Sequence, residues 1–374
     1  MKAKAAPPAV TLSSEASITP EELHLAGRNH SMPLEALRYD ITPLGLHYLL
    51  IHFDIPAVDP RAWRLHVGGL VEHPLVLDLD AVRALPSVDL PVTLECAGNG
   101  RARLSPRPLS QPWLSEAVGT ATWTGTPLRN VLELVAPNAA AAEIVFTGLD
   151  RGIQGEVEQD YERSLPLAEA MRPEVMLCWG VNGQDLTPQH GFPLRLIVPG
   201  WYGMTHVKWL RGITLVREPF DGWQQATAYH FRPADDVEPV PVTRMEPRAL
   251  MIPPGIPEFF NRVRHVPAGP VRLEGRAWSG WGAIVRVEVS TDGGGSWTEA
   301  ELAEPVSPFA WRGWIFDWQA EPGDHELCCR ATDSSGRVQP DRPPWNLEGV
   351  MNNAVQRLPV RVGAAAPFQA PADS

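Results

Sequence analysis

The apolar residues in the first two thirds of the chain follow two different spacings. Leu90–Leu94 and Val175–Val181 are short apolar runs, each followed by a turn that contains glycine, which is typical of buried strands that end at a loop. Trp113–Val118 and Pro127–Val135 have the length of short helices, with Pro127 suited to a first helical turn. The mixture of both patterns predicts an α+β fold for this part of the chain.

Beyond Asn261 the pattern becomes entirely strand-like. Val285, Val287 and Val289 alternate with polar residues, and Asp292–Gly295 is typical of a hairpin turn. Strands are expected at Val271–Trp278, Ile284–Ser290, Trp297–Leu302, Trp311–Trp318, His325–Ala331 and Val355–Val362. About 100 residues with this many short strands predict an all-β, immunoglobulin-like sandwich, although the Cys–Trp–Cys pattern of antibody domains is absent.

These patterns predict two domains, a number that a length of 374 residues also favours. We expect a disordered N-terminal tail over residues 1–20 and the α+β domain over residues 21–219. A Pro-rich linker is expected over residues 220–260, the all-β domain over residues 261–363 and a second disordered tail over residues 364–374.

Composition excludes several classes of partner and location. The net charge of −12 and an isoelectric point near 5.4 argue against binding to nucleic acid or to an anionic membrane surface. No run approaches the ~20 apolar residues of a membrane span, and residues 1–20 lack the apolar core of a secretory signal. The four cysteines, two of them the adjacent Cys328 and Cys329, do not form a disulfide framework. We therefore expect a cytoplasmic protein.

Lysine is rare in this chain, and its one occurrence beyond the N-terminal tail is a candidate site residue. Lys2, Lys4 and Lys208 are the only lysines among the 32 basic residues. A compositional bias towards Arg, Ala and Pro explains the rarity but not the exception. A compact positive charge that binds a phosphate group would explain it.

Three further nitrogen-bearing side chains lie near Lys208 in the sequence, those of His190, Arg195 and His206. They flank two predicted strands, the second of which is expected to run from His206 to Leu215. A lone histidine is more often a satisfied polar residue than a ligand. The density of cationic groups in an acidic protein nevertheless indicates a site for phosphate or a similar anion.

Cys96 stands where the first apolar run ends and the turn Ala97–Gly100 begins. Strand ends that lead into glycine-rich loops present side chains to ligands, and a thiolate there suits a soft or borderline metal ion. The alternative is a small buried hydrophobic residue without chemistry. The residues alone leave both interpretations open.

Three other stretches have two interpretations each. Arg28–His30 places a cation, an amide and an imidazole in one loop, which is typical either of a polar surface or of an anion or cofactor site. Arg101, Arg103 and Arg107 form either a solvated loop face or the basic rim of an anion site. Tyr229, in the Pro-rich linker, is either an aromatic anchor or a site residue.

Five stretches, taken in order along the chain, together resemble the sulfite oxidase family of molybdenum enzymes. They are Arg28–His30, Glu95–Asn99, Asp150, His190–Arg195 and Val207–Leu210. The β-rich C-terminal part resembles that family's dimerisation domain, including its Asp-Gly-Gly turn and its Pro-Trp-Asn-Leu sequence. The resemblance extends over residues 24–363.

The resemblance implies a single molybdopterin that carries molybdenum, with the Cys96 thiolate as the protein's ligand to the metal. By motif position, the residues that hold the cofactor are Arg28, Asn29, His30, Cys96, Asp150, His190, Arg195, His206, Val207 and Lys208. Tyr229 matches an active-site tyrosine of the family, and Arg28 and Arg101 are the cations expected to face the substrate. With Cys96 they form the predicted catalytic set.

The activity that the resemblance implies is oxidation of sulfite to sulfate by a homodimer. Its electrons would pass to a separate acceptor, either a cytochrome or oxygen. One alternative is reduction of nitrate or another small oxyanion at the same site, because the family includes such members. Another is a non-catalytic binding protein built on the same scaffold.

The chain departs from the family pattern at three places. Gly100 stands where animal sulfite oxidases have an arginine. Ser279–Ala283 lacks the arginine that the family commonly uses there to bind the oxyanion, and Leu109 stands near the place of a family lysine. Arg103 and Arg107 are the candidates to replace these cations.

Overall fold

The computed structural model describes residues 12–13, 18–342 and 345–363. The chain divides into two compact units. The N-terminal unit consists of Met1–Met32, Ile41–Met245 and Pro344–Asn352, and the C-terminal unit of Pro33–Asp40, Glu246–Pro343 and Asn353–Ser374. Most of the tail predicted over residues 1–20, and all of the tail predicted over residues 364–374, lie outside the described residues. The domain boundaries expected from the sequence stay a prediction.

The N-terminal unit contains fourteen strands within the described residues. They are β1 (Leu12–Ser13), β2 (Leu65–Gly69), β3 (Leu75–Leu77), β4 (Val88–Glu95), β5 (Arg107–Pro108), β6 (Val118–Pro127), β7 (Glu143–Gln154), β8 (Val157–Pro166), β9 (Met176–Val181), β10 (Gln184–Asp185), β11 (Arg195–Ile197), β12 (Leu210–Val216), β13 (His230–Phe231) and β14 (Val240–Pro241). Its α-helices are α1 (Pro20–Ala26), α2 (Leu79–Arg83), α3 (Leu128–Val135), α4 (Leu167–Ala170) and α5 (Trp223–Ala226). Short 3₁₀ helices cover Leu44–Leu46, Arg101–Arg103, Pro188–His190 and Gly203–Thr205.

Two five-stranded sheets form the body of this unit. The first has the order β10-β9-β6-β4, with β11 also paired to β9, and all its pairs are antiparallel. The second has the order β3-β2-β12-β7-β8, in which β12 is parallel to β2 and antiparallel to β7. In the first sheet, Glu95 at the end of β4 pairs with Val118 at the start of β6. This register places Cys96 beside the segment that precedes β6.

Helix α3 shows how the sequence builds the core. Leu128, Val131, Leu132 and Val135 recur at helical spacing on one face, and all four are fully buried. They belong to one cluster of apolar side chains that also includes residues of β9, β11 and β12. Packing of this kind holds rigid the strand ends from which the candidate site residues project.

The C-terminal unit contains ten strands within the described residues and the 3₁₀ helix Leu34–Arg38. The strands are β15 (Arg248–Met251), β16 (Ile256–Pro257), β17 (Arg264–Pro267), β18 (Gly269–Trp278), β19 (Ile284–Ser290), β20 (Thr298–Glu299), β21 (Glu301–Leu302), β22 (Arg312–Ala320), β23 (Gly323–Asp333) and β24 (Gln356–Gly363). One sheet has the order β15-β18-β22-β21 and the other β16-β17-β24-β23-β19-β20. A single apolar cluster contains residues from both sheets.

Several predicted elements differ from the observed ones. The helix expected over Trp113–Val118 is wrong, because this segment is not helical and leads into the antiparallel strand β6. The strand expected to begin at His206 begins at Leu210. A bulge between Ile284 and Arg286 breaks the valine alternation in β19, so Val285 is exposed while the next two valines are buried.

The observed fold is predominantly sheet, with 40% strand and 13% helix. The predicted linker over residues 220–260 contains α5 and β13–β16, so its lack of periodicity did not mean a lack of structure. Among the residues that the structure describes, no helix combines the length and apolar content of a membrane span.

Candidate functional site

A cavity of about 700 Å³, measured to include its open mouth, lies in the N-terminal unit. Many of the residues singled out in the sequence line it. These are Cys96, Asp150, His190, Arg195, His206, Lys208 and Tyr229. They come from the end of β4, from β7, from the loops around β11 and from the loop before β13.

The turn after β4 positions Cys96 in the cavity wall. The Cys96 backbone N–H donates to the Ala117 carbonyl at 2.9 Å. Asn99 braces the turn, since its side chain donates to the Glu95 carboxylate and the Ser115 carbonyl, both at 3.0 Å. Hydrogen bonds therefore fix the turn that carries Cys96, a residue that is only 7% exposed.

The structure explains why two positions of this turn are glycine. Gly100 has φ of +96°, a left-handed conformation that a residue with a Cβ rarely adopts. At Gly98, an added Cβ would lie 2.5 Å from Nη1 of Arg101. The guanidinium of Arg101 therefore packs directly against the backbone of the cysteine turn.

Opposing effects act on the Cys96 thiol. Burial raises its pKa, whereas the positive charge of Arg101 and the backbone N–H of Gly98 favour the thiolate and lower it. Trp113 Nε1 is buried and has no hydrogen-bond partner among the described residues. Arg101 is buried and donates to the Glu348 carbonyl at 3.2 Å and to Ser110 Oγ at 3.1 Å. The positive charge of Arg101 thus offsets part of the cost of burying a thiolate, the form of cysteine that binds a metal.

Tyr229 lines the cavity from a strained backbone position. Its φ is +61°, and its N–H donates to Glu348 Oε2 at 2.7 Å, while the next N–H, that of His230, donates to the same oxygen at 3.2 Å. A carboxylate that accepts two consecutive N–H groups stabilises this unfavourable conformation. Burial, with the nearby Cys96, raises the pKa of the Tyr229 phenol to about 12, so it is a hydrogen-bond donor at neutral pH.

Other residues that line the cavity carry polar atoms without partners. His190 uses Nδ1 with Thr187 Oγ1 at 2.7 Å and leaves Nε2 unpartnered among the described residues. His47 has the same arrangement, with Nδ1 on the Tyr48 carbonyl at 3.0 Å and Nε2 unpartnered. The Nε group of Arg195 is also buried without a partner in this part of the chain.

Lys208 and Asp150 form a buried pair of opposite formal charge at the cavity. Lys208 Nζ donates to the Leu50 carbonyl at 2.7 Å and to the Gln189 carbonyl at 3.2 Å. Burial lowers the pKa of Lys208 and raises that of Asp150. Oδ1 of Asp150 has no hydrogen-bond partner among the described residues. Both groups are therefore placed to bind a polar ligand that enters the cavity.

Two of the predicted residues have structural contacts instead. Val198 N–H donates to His206 Nδ1 at 3.0 Å, so the other ring nitrogen, Nε2, carries the proton and donates to the Trp201 carbonyl at 3.1 Å. His206 is thus a neutral imidazole with both nitrogens occupied. Val207 is fully buried and its carbonyl accepts from the Leu196 N–H at 2.8 Å.

The Arg28–His30 stretch is not among the residues that line the cavity. Arg28 is exposed and donates to the Phe53 carbonyl, and His30 is exposed and pairs with Leu49 through the backbone. Asn29 is buried, where it accepts from the Ile51 N–H at 2.6 Å. The assignment of these three residues to a cofactor stays a prediction.

The two arginines expected to replace missing cations do not line the cavity either. Arg107 forms a buried, bidentate ion pair with Glu22, with both N–O distances at 2.9 Å. Its charge is therefore already neutralised, and the expectation of a compensating role for Arg107 is wrong on this geometry. Arg103 is exposed.

Sequence reasoning missed several residues that line the cavity. They are His47, Tyr48, His52, Tyr161 and Gln189. Two histidines within six residues, in a chain with eleven, were an available signal. Tyr161 lies on β8, a strand that the sequence pattern did not reveal.

The donor set fits a bound group that brings its own metal. Among the described residues, no three His, Cys, Asp or Glu side chains come together as a metal-ion site. One thiol instead lines a cavity together with residues whose buried polar atoms have no partners among the described residues. Because such atoms are costly unless a ligand satisfies them, the site suits a polar, partly anionic cofactor with one thiolate bond to its metal.

Comparisons with known proteins give the family. Residues 52–224 match the family described as "Oxidoreductase molybdopterin binding domain", and residues 252–363 match "Mo-co oxidoreductase dimerisation domain". The first match assigns molybdopterin with molybdenum as the cofactor. The solved structure of the sulfane dehydrogenase SoxCD from Paracoccus pantotrophus superposes with a TM-score of 0.78 at 26% identity, covering 94% of this chain and 88% of that one.

Several curated relatives are named sulfite oxidases. Mitochondrial sulfite oxidase of Mus musculus is 38% identical over 86% of this chain, which spans 62% of that protein's length. Sulfite oxidase of Arabidopsis thaliana is 32% identical over 86% of this chain and 88% of the plant protein. With both domain matches and this coverage of the plant enzyme, the chain belongs to the sulfite oxidase family of molybdopterin-dependent oxidoreductases.

Proposed function

We propose that this protein oxidises sulfite to sulfate at a molybdenum cofactor and passes the electrons to an external acceptor. The observation that carries the proposal is the cavity itself, where the Cys96 thiol, the Tyr229 hydroxyl and unpartnered buried polar groups face one another. The similarity to named sulfite oxidases supports the choice of sulfite.

Asp150, His190, Arg195, Lys208 and His47 are proposed to hold the cofactor. Asp150 Oδ1 and His190 Nε2 are free to hydrogen-bond with its ring system, since neither has a partner among the described residues. Arg195 and Lys208 supply positive charge for a phosphate group. His47, which the sequence did not predict, offers a further unpartnered ring nitrogen.

Cys96, Arg101 and Tyr229 are proposed to serve the reaction. When bound, the molybdenum cofactor supplies oxygen-atom transfer and takes up two electrons. Cys96 contributes the thiolate that fixes the metal, and Arg101 stabilises that thiolate. The protonated Tyr229 hydroxyl donates a hydrogen bond to an oxyanion beside the metal, and burial of the wall limits access of water.

The finer predictions about architecture belong to the same proposal. Two sheets around one apolar cluster support an immunoglobulin-like sandwich in the C-terminal unit. The match to a dimerisation domain over residues 252–363 supports a homodimer. Four free, buried cysteines support a reducing compartment such as the cytoplasm. A cytochrome or oxygen remains the proposed electron acceptor.

The first experiment is the molybdenum content per chain, measured by mass spectrometry on protein from a host that makes molybdopterin. Near-stoichiometric molybdenum with sulfite-dependent reduction of a dye acceptor is expected. Nitrate loss driven by a reduced dye, without sulfite oxidation, would instead establish the oxyanion reductase. Protein that folds but contains no molybdenum would favour the non-catalytic binding protein.

A further inference from the structure

Arg163 occupies a position where the strand pattern calls for an apolar residue. It lies on β8 between Tyr161 and Leu165, which point to the same face of the strand, and it pairs with Phe146 on β7. All three neighbours belong to the main apolar cluster of the unit. Arg163 itself is 2% exposed, so a full positive charge lies inside the core.

No carboxylate neutralises this charge within the described part of the chain. Nη1 of Arg163 donates to the Gln224 carbonyl, and Nε is buried without a partner there. Burial lowers the pKa of Arg163, and the groups that raise it are two phenols, Tyr161 and Tyr229. A buried cation without an acidic partner destabilises the fold, which indicates that its charge serves a purpose other than stability.

The charge lies close to the ring of Tyr229, a residue that lines the cavity. The guanidinium carbon of Arg163 is 5.7 Å from the centroid of the Tyr229 ring, within the range of a cation–π contact. The Gln224 carbonyl that Arg163 binds belongs to α5, the short helix that leads into Tyr229. Arg163 therefore contacts both the ring and the segment that sets the ring's position.

Four groups from two elements act on the Tyr229 phenol. Cys96 and Arg101 face it from the turn after β4, and Tyr161 and Arg163 face it from β8. A negative charge on Cys96 disfavours negative charge at the Tyr229 hydroxyl, whereas the positive charges of Arg101 and Arg163 favour it. Arg101 also acts on the Cys96 thiol, whereas Arg163 acts on the two phenols, Tyr161 and Tyr229.

We propose that Arg163 is a positioning residue that orients and polarises the Tyr229 hydroxyl as a hydrogen-bond donor to a small oxyanion substrate. The inference rests on the proposed function and deepens it, because it selects a substrate with negative charge at the tyrosine. The positive charge acts through the ring rather than by direct contact, since Arg163 is not among the residues that line the cavity.

The experiment compares Arg163→Met, Arg163→Lys and Arg151→Met in the full-length, cofactor-loaded protein. Met keeps the bulk but removes the charge, and Lys keeps the charge. Arg151 is the matched control, an arginine of the same hairpin that is 57% exposed and paired with Glu158 and Asp160. The readouts are kcat and KM for sulfite, sulfate binding by calorimetry and the thermal midpoint.

For Arg163→Met we expect the KM for sulfite and the Kd for sulfate to rise about tenfold, with kcat changed less than about threefold. Arg163→Lys should recover most of this loss, and Arg151→Met should show none. The thermal midpoint of Arg163→Met should not fall, because a buried unpaired charge has been removed. In a Tyr229→Phe background the effect of Arg163→Met should largely disappear.

Unchanged KM and sulfate binding in folded Arg163→Met would overturn the inference, as would an undiminished effect in the Tyr229→Phe background. If Arg163→Met fails to fold, Arg163→Gln replaces it as the variant without the charge. Normal affinity in Arg163→Lys together with a loss in Arg163→Gln then supports the electrostatic role, and equal affinities in these two variants overturn it. Normal sulfite kinetics in Tyr229→Phe would contradict the proposed role of Tyr229 itself, and with it this inference. The sulfate titration distinguishes failure of this inference from failure of the proposed function, because it measures anion binding without turnover.

Discussion

Acid should unfold the N-terminal unit at a higher pH than carboxylate titration alone would predict. Four histidines that line the cavity have pKa values lowered chiefly by burial, to about 4 for His47 and His52, about 3 for His206 and about 2 for His190. Their unfolded value is 6.5. Between pH 6.5 and these lowered pKa values, the unfolded chain binds protons that the folded chain does not. The free energy of unfolding therefore falls as the pH falls below 6.5.

The magnitude follows from proton linkage. Each such histidine destabilises the folded state by up to about 1.4 kcal/mol per pH unit once the unfolded form is fully protonated. Between pH 7 and pH 5.5 this amounts to about 1.2 kcal/mol for one histidine and about 5 kcal/mol for four. A loss of that size is comparable with the whole stability of many domains, which is about 5–15 kcal/mol.

The assay is urea unfolding of cofactor-free protein at pH 7.0, 6.5, 6.0 and 5.5, followed by circular dichroism. His52→Gln is the test variant, because glutamine retains a donor for the hydrogen bond that His52 Nε2 makes with Gln154 Oε1 at 2.8 Å. Removal of one histidine should reduce the loss between pH 7 and 5.5 by about 1.2 kcal/mol. The exposed His73 provides the matched control, and His73→Gln should retain the full pH dependence.

Two results would refute this reasoning. One is a free energy of unfolding that stays constant between pH 7 and 5.5, which would mean that the buried imidazoles accept protons in the folded state. The other is an equal reduction of the pH dependence in His52→Gln and His73→Gln, which would show that burial at the cavity is not the cause.

Three further predictions concern individual residues. Cys96→Ser should fold normally but lose the thiolate-to-metal absorption band and roughly a thousandfold of sulfite turnover; wild-type activity would remove Cys96 from the site. Lys208→Ala should weaken cofactor retention about tenfold, measured as molybdenum per chain, with near-normal turnover of the loaded fraction. Full occupancy in this variant would contradict a phosphate contact. Arg83→Ala is the control. Glu348→Ala should lower the free energy of unfolding by about 2–4 kcal/mol in urea titrations, because two backbone N–H groups lose a charged acceptor. Glu158, an exposed residue, provides the control variant Glu158→Ala. An equal or smaller loss in Glu348→Ala would refute the stabilisation of Tyr229 by Glu348.

Local patterns predicted those parts of the site that lie next to each other in sequence. The strand that leads to Cys96 and the glycine turn after it were expected, because an apolar run and a strand-ending glycine turn can both be recognised within ten residues. The helix over Trp113–Val118 was a wrong prediction for the opposite reason. This segment leads into β6, whose partner β4 lies some 30 residues earlier, and that pairing overrides the local spacing.

Arg107 and Tyr229 show what long-range contacts add. Arg107 is paired with Glu22, 85 residues away, so its part in a basic rim could not be judged from neighbouring arginines. Tyr229 is held by Glu348, 119 residues away, in a backbone conformation that its own sequence does not indicate. No periodicity encodes either contact, because each depends on how separate segments meet.

The sequence by itself determined the composition of the site, with one cysteine at a strand end, one lysine beyond the first 20 residues and histidines clustered around two strands. Its order of motifs also indicated the family and the cofactor. Only the tertiary structure decided which of these groups face a common cavity and which are already satisfied, such as the two ring nitrogens of His206. It also revealed the buried charge of Arg163 behind Tyr229. The physical reason is that residue type sets what a group is able to bind, whereas burial and long-range partners decide whether it is free to do so.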